Sequence, residues 1–110
     1  MRLLILFFLI GGNMLERDFQ ANVIKELRDI FPDSYILKCD GSNTPQGFPD
    51  ILILYKNKWA VLEFKRADNA TKRPNQDYYI NHLGNMSFAR FIYPENKEDV
   101  LNELQQAFGA

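Results

Sequence analysis

A chain of 110 residues, 46% hydrophobic and 25% charged, makes one globular domain with a modest core, and this composition excludes a disordered or low-complexity segment. One cysteine, Cys39, excludes an internal disulfide and an all-cysteine metal site, and it suits a strand as a small hydrophobe. The net charge of −1 does not mark a nucleic-acid binder, but its distribution is uneven: six basic residues against two acids give +4 over residues 56–73, and four acids against Lys97 give −3 over residues 95–103.

Residues 1–13, MRLLILFFLIGGN, stand apart from the rest. Their apolar run after a single Arg looks like a signal peptide, yet it lacks a small-x-small cleavage site and falls short of the ~20 residues that span a bilayer. The expectation is that Met14 is the natural start, with the leader an upstream extension; a membrane anchor is the alternative. The domain is then residues 14–110, expected in the cytoplasm with no membrane partner.

Residues 14–31 read as an amphipathic helix. Leu15, Phe19, Val23, Leu27 and Ile30 form one stripe at helical spacing, and Pro32 stops the helix. Glu16 lies in its first turn, where an acid is favourable against the helix dipole whatever its function. A first strand follows over residues 35–39. The loop DGSNTPQ, residues 40–46, comes next; Ser42 and Asn43 could donate hydrogen bonds to a phosphate or serve as ordinary turn residues.

Residues 47–65, GFPDILILYKNKWAVLEFK, read as two strands, 51–55 and 59–64, joined by a tight turn at Lys56-Asn57-Lys58. Asn57 tolerates the positive φ that short hairpin turns require. With Asn57 and Lys58 at the centre of the turn, Lys56 faces Trp59, Leu52 faces Glu63, and Asp50 faces Lys65. Residues directly opposed or two apart share a face, so Asp50, Glu63 and Lys65 converge at one end of an apolar hairpin. Gly47 allows close backbone approach at the strand mouth.

Two carboxylates held together repel unless a cation lies between them. Mg²⁺ takes oxygen ligands and commonly sits on one or two carboxylates plus substrate phosphate. A neighbouring ammonium can orient the attacking water or stabilise charge developing on phosphorus. An Asp followed by Glu-x-Lys on the next strand is therefore a plausible phosphodiester-cutting arrangement. The alternative is a solvated ion pair of Glu63 and Lys65, with Asp50 capping a turn after Pro49.

After Lys65, RADNATKRPN is a polar connection in which Arg66, Lys72 and Arg73 are candidate phosphate contacts. Pro74 suits a helix start. The helix over residues 75–83 sets Gln76, Tyr79, Ile80 and Leu83 along one side and is expected to end at Gly84; packing is the expected role of Tyr78 and Tyr79. His82 has no partner histidine or nearby acid pair in sequence, which argues against a ligand or base. A fourth strand, residues 88–93, ends at Pro94. Glu95 or Asn96 opens a last helix through Phe108, with Val100, Leu101, Leu104 and Phe108 inward.

Gly47-Phe48-Pro49-Asp50 followed by Glu63-Phe64-Lys65 resembles the PD-(D/E)XK nuclease superfamily signature. Within that superfamily the chain is similar to the small VRR-NUC-type nucleases and archaeal-type Holliday junction resolvases. The likeness covers the chain after Met14, because the order of helix, three strands, helix, strand also fits. It implies an α/β fold with a restriction-endonuclease-like αβββαβ core, a mixed four-stranded sheet and an added C-terminal helix. It further implies a DNA endonuclease dependent on Mg²⁺ or Mn²⁺, with no small-molecule cofactor, leaving 5′-phosphate and 3′-hydroxyl ends. Asp50, Glu63 and Lys65 match the catalytic positions, Glu16 a third metal ligand, and Gln76 a glutamine facing the site. RecB-like relatives carry Gln-x-x-x-Tyr, whereas here Ile80 occupies the tyrosine position, which counts against that branch. So small a domain offers little surface for reading sequence, so structure-selective cutting of branched or junction DNA by a homodimer is expected. The rival is a non-catalytic nucleic-acid-binding or subunit-docking module; a decayed site, however, should have lost one of Asp50, Glu63 and Lys65.

Overall fold

The computed structural model describes residues 15–109, so the apolar leader of residues 1–13 and the start expected at Met14 lie outside the described residues. In chain order the elements are α1 (Glu16–Ile30), β1 (Tyr35–Lys38), β2 (Ile51–Tyr55), β3 (Lys58–Phe64), α2 (Pro74–Gly84), β4 (Phe88–Ile92) and α3 (Lys97–Phe108). The four strands form one mixed sheet in the order β1-β2-β3-β4, antiparallel except for the parallel pair β3 and β4. The α/β class, the mixed four-stranded sheet and the added last helix agree with expectation. Among the described residues, no helix is long and apolar enough to cross a membrane.

The core lies between one face of the sheet and helices α1 and α3. Phe19, Val23, Ile24, Leu27, Val100, Leu101, Leu104 and Phe108 meet Ile51, Ile53, Ala60, Leu62, Phe64, Phe88 and Ile92 there. Alternate residues along each strand supply this face, as the pleat requires. A three-ring cluster closes one end: Phe31 lies 5.1 Å from Tyr55 and 5.3 Å from Phe108, and Tyr55 stacks on Phe108 at 5.5 Å. The stripe on α1 differs from expectation at its start, where Leu15 caps the helix at 54% exposure and the inward position falls to Ile24.

Helix α2 covers the opposite face, over Val61 and Ala89. It runs through Gly84 and ends at Asn85 in ordinary right-handed geometry, so Gly84 is the last helical residue rather than a left-handed stop. Because α2 leaves β1 and β2 uncovered, Tyr35, Leu37 and Leu54 stay exposed on that face. Tyr35 pairs with Leu54, and Leu37 with Leu52, so these side chains form a contiguous apolar strip at a sheet edge.

The hairpin corrects one expectation. Lys56 and Asn57 form the turn, and it is Lys56 that takes the positive φ, 56°. Tyr55 therefore pairs with Lys58, Leu54 with Trp59 and Leu52 with Val61. Left-handed geometry costs a lysine about 1 kcal/mol. The register in return sets apolar side chains across from each other, whereas the expected one opposed Leu52 to Glu63 and Lys56 to Trp59. The shift is two residues, so every side chain keeps its face.

Candidate active site

Carried one residue beyond β2, the observed register sets Asp50 across from Glu63 rather than Lys65. Asp50 is fixed there from both sides of the chain. Its carbonyl accepts the Cys39 N–H at 2.7 Å, and its Oδ2 accepts the Phe64 N–H at 2.8 Å. Buried Pro49 holds the approach to the strand.

Glu63, next to last in β3, lies on the face covered by α2 and is only 4% exposed; Lys65, two residues on, is 8% exposed. They are the only buried charged residues among those described. Such groups need partners, because an unpaired buried charge is costly. Gln76, in the first turn of α2, supplies them. Its Nε2 donates to Glu63 Oε2 at 2.9 Å, and its Oε1 accepts from Lys65 Nζ at 2.8 Å and from the Arg73 N–H at 3.0 Å. Both groups facing Oε1 are pure donors, which leaves one orientation of the amide. The glutamine thus ties the acid and the ammonium to the start of a helix.

Burial beside one another sets the two carboxyl groups against ionising together. Burial pushes Glu63 up to about 8, the Asp50 charge adds to the rise, and the Lys65 ammonium opposes it. Asp50 is also raised by burial, against the lowering effect of the Phe64 N–H and of a hydrogen bond from Glu63. Glu16, at the start of α1, reaches the pair electrostatically. Burial and then the Asp50 charge raise its pKa, with Lys65 and Arg66 pulling the other way. Among the described residues, however, no three His, Cys, Asp or Glu side chains form a group spaced to hold a metal. Glu16 therefore stands back from the Asp50–Glu63 pair. A buried carboxyl beside a half-buried one, both pushed toward the neutral form, suits a hard cation, which takes oxygen donors and tolerates a small protein share of its shell.

A cleft of about 540 Å³ opens over the pair, lined by Thr44, Phe48, Arg73, Asn75 and Gln76 among others. Gly47, at φ +88°, lets the 40–47 loop pass against α2, where a Cβ would overlap that of Asn75. Asn75 Nδ2 donates to the Gln46 carbonyl at 3.3 Å and secures the same contact. Asn75 and Gln46 carried no signal as site residues in the sequence beyond the neighbouring Gly47, whose tolerance for close approach implied a partner.

The basic and polar candidates divide. Arg73 lines the cleft. Arg66 is exposed and acts on Glu16. Lys72 lies over the Phe91 ring, 5.1 Å from its centre, beside a separate concavity lined by Ile80, Asn81 and Arg90. The Ser42 hydroxyl donates to Asp40 Oδ1 at 2.7 Å, whereas Asn43, the other candidate of that loop, is exposed. Tyr79 packs edge-on against Phe48 at 5.5 Å, as expected of a packing residue, but Tyr78 is 58% exposed. No family model, no curated protein and no solved structure matches the chain.

Proposed function

We propose that this protein is a divalent-metal-dependent DNA endonuclease of the PD-(D/E)XK superfamily, similar to VRR-NUC-type nucleases and Holliday junction resolvases, and that it cuts branched or junction DNA as a homodimer. The observation that carries the reading is the Glu63–Gln76–Lys65 relay beside Asp50: two adjoining carboxyl groups, with an ammonium fixed two residues away. The αβββα order and the mixed sheet support it.

Asp50 and Glu63 would hold Mg²⁺ or Mn²⁺ once both are ionised, and Glu16 would add negative charge from behind. When bound, the cation would draw in the scissile phosphate and favour hydroxide over water as nucleophile. Lys65, desolvated and held by Gln76, presents positive charge where it can orient the attacking water or stabilise the charge that builds on phosphorus. Gln76 fixes the distance between that ammonium and Glu63. Arg73, on the cleft wall, and the exposed Arg66 would take flanking phosphates. The expected products are 5′-phosphate and 3′-hydroxyl ends.

The direct test incubates labelled four-way junctions, flaps, forks and linear duplexes with the protein and Mg²⁺ or Mn²⁺. Metal-dependent binding without cleavage of any form would replace the nuclease by a non-catalytic binding module. Lys65→Met should keep Mg²⁺ affinity in a calorimetric titration while turnover drops by roughly 10²- to 10³-fold. Unchanged nicking by that variant would remove Lys65 from the chemistry.

The uncovered strip of Tyr35, Leu37 and Leu54 is the surface available to a second copy. Sedimentation should show a dimer, and Leu37→Glu should yield monomers that no longer make paired cuts in a four-way junction. A monomeric parent protein at working concentration removes the basis for paired cutting.

A further inference from the structure

Helix α2 carries three rings, Tyr78, Tyr79 and His82, yet none of its residues is buried. These rings connect to the cleft without a gap. Phe48, in the cleft wall, meets Tyr79 at 5.5 Å; Tyr79 meets Tyr78 edge-on at 5.1 Å; and Tyr78 lies parallel to His82, with centroids 5.4 Å apart and planes 10° from each other. The stack on His82 and the edge contact from Tyr79 hold the Tyr78 ring in place, while more than half of its residue surface faces water. A ring held so and still exposed is a prepared stacking surface. Arg73, one residue before α2, sets a cation on the wall of the cleft that holds the acid pair.

The geometry points to a nucleobase-stacking site on Tyr78, which takes an unpaired base of the strand that leaves the cleft. It rests on the nuclease reading for the identity of the strand in the cleft, and it narrows the substrate class to DNA with a single-stranded segment next to the cut, such as a fork or flap. A base inside a paired duplex keeps both its faces stacked on neighbours and cannot offer one to an external ring. A base released at a branch can, and every base has a π-face, so the site selects for unpairing and not for sequence. His82 backs the tyrosine and need not touch the strand.

The experiment uses the full chain in EDTA, so that binding is read without cleavage. The probe is a forked duplex with 2-aminopurine in its single-stranded tail, compared with a blunt duplex of the same sequence. Binding should quench the 2-aminopurine fluorescence. Tyr78→Ala should weaken fork binding on the order of tenfold and leave blunt-duplex binding unchanged, and Tyr78→Phe should restore the parent value. Equal fork affinity in parent and Tyr78→Ala overturns the site. So does a Tyr78→Phe variant as weak as Tyr78→Ala, since the hydroxyl and not the ring face would then be the contact. Adding Mg²⁺ separates the two readings. Tyr78-dependent quenching in a protein that cuts no DNA form keeps the stacking site and ends the nuclease assignment. Fork cleavage indifferent to Tyr78→Ala does the reverse.

Discussion

Asp50→Ala is expected to abolish Mg²⁺-dependent cleavage, by on the order of 10³-fold or more, while leaving DNA affinity nearly unchanged. The carboxylate is one of two in the pair, and its loss leaves Glu63 alone there. The surfaces that would take phosphate, at Arg66, Lys72 and Arg73, are untouched. Removing a negative charge beside the phosphate path also weakens repulsion, so any change in binding should be toward tighter association. Asp50→Asn is the companion variant. Its amide oxygen can still accept the Phe64 N–H that Asp50 Oδ2 accepts at 2.8 Å, so the hairpin end keeps its tie and a loss of activity reports on charge rather than on folding. Cleavage by both variants at the parent rate would falsify the assignment of this pair. Loss of DNA binding together with cleavage in Asp50→Asn would instead indicate that the acid organises the cleft.

What the sequence revealed of this site followed from periodicity. The inward set Val100, Leu101, Leu104 and Phe108 is buried as the helical spacing predicts, and so are Phe19, Val23 and Leu27 on α1. The convergence of Asp50, Glu63 and Lys65 was legible even though the predicted turn was displaced, because a two-residue shift conserves which face a side chain occupies. The turn itself was not legible. Local preference favours Asn57 over Lys56 for positive φ, and the decision came from the pairing of Leu52 with Val61 and Leu54 with Trp59 across the hairpin. Tertiary contact overrode the local propensity.

Gln76 was visible as a candidate but not as the group that bridges Glu63 and Lys65. That role depends on α2 packing across the face of β3, a placement set by Val61, Ala89 and the permissive Gly47 together. The use of Ser42 by Asp40 was hidden for a different reason: a loop hydroxyl can bond locally or outward with equal ease, and only the loop's conformation decides. Tyr78 reads in sequence as half of a packing pair. Its exposure shows only in the fold, where Tyr79 packs on Phe48 and Tyr78 stays open to water.

The metal-free protein is expected to lose stability as pH rises from about 5 to 8. Glu63 has an ordinary pKa of 4.5 when unfolded and is pushed up to about 8 in the folded chain. Between those values the native state holds a proton that the unfolded state has released, so each step up in pH favours unfolding. The stabilisation is complete below the unfolded value and gone above the folded one. Asp50 and Glu16 are raised as well, which adds to the trend in the same direction. Across the window the loss should amount to roughly 2–3 kcal/mol, seen as a fall in Tm of ~10 °C or more for a domain of this size. Glu63→Gln should flatten the profile, because the amide keeps the shape of the protonated acid, can still hydrogen-bond to Asp50, and has nothing to ionise. Mg²⁺ should flatten it too, by binding the native pair once the proton has left and stabilising that state by mass action. The measurement is a set of thermal melts in EDTA and in Mg²⁺ for parent and Glu63→Gln. A parent profile that stays level in EDTA would mean that Glu63 is already ionised in the fold and that Gln76 and Lys65 satisfy it without a proton. A slope that survives in Glu63→Gln would move the titration to another carboxyl. A slope that Mg²⁺ leaves unchanged would mean that the carboxyl pair does not take the ion.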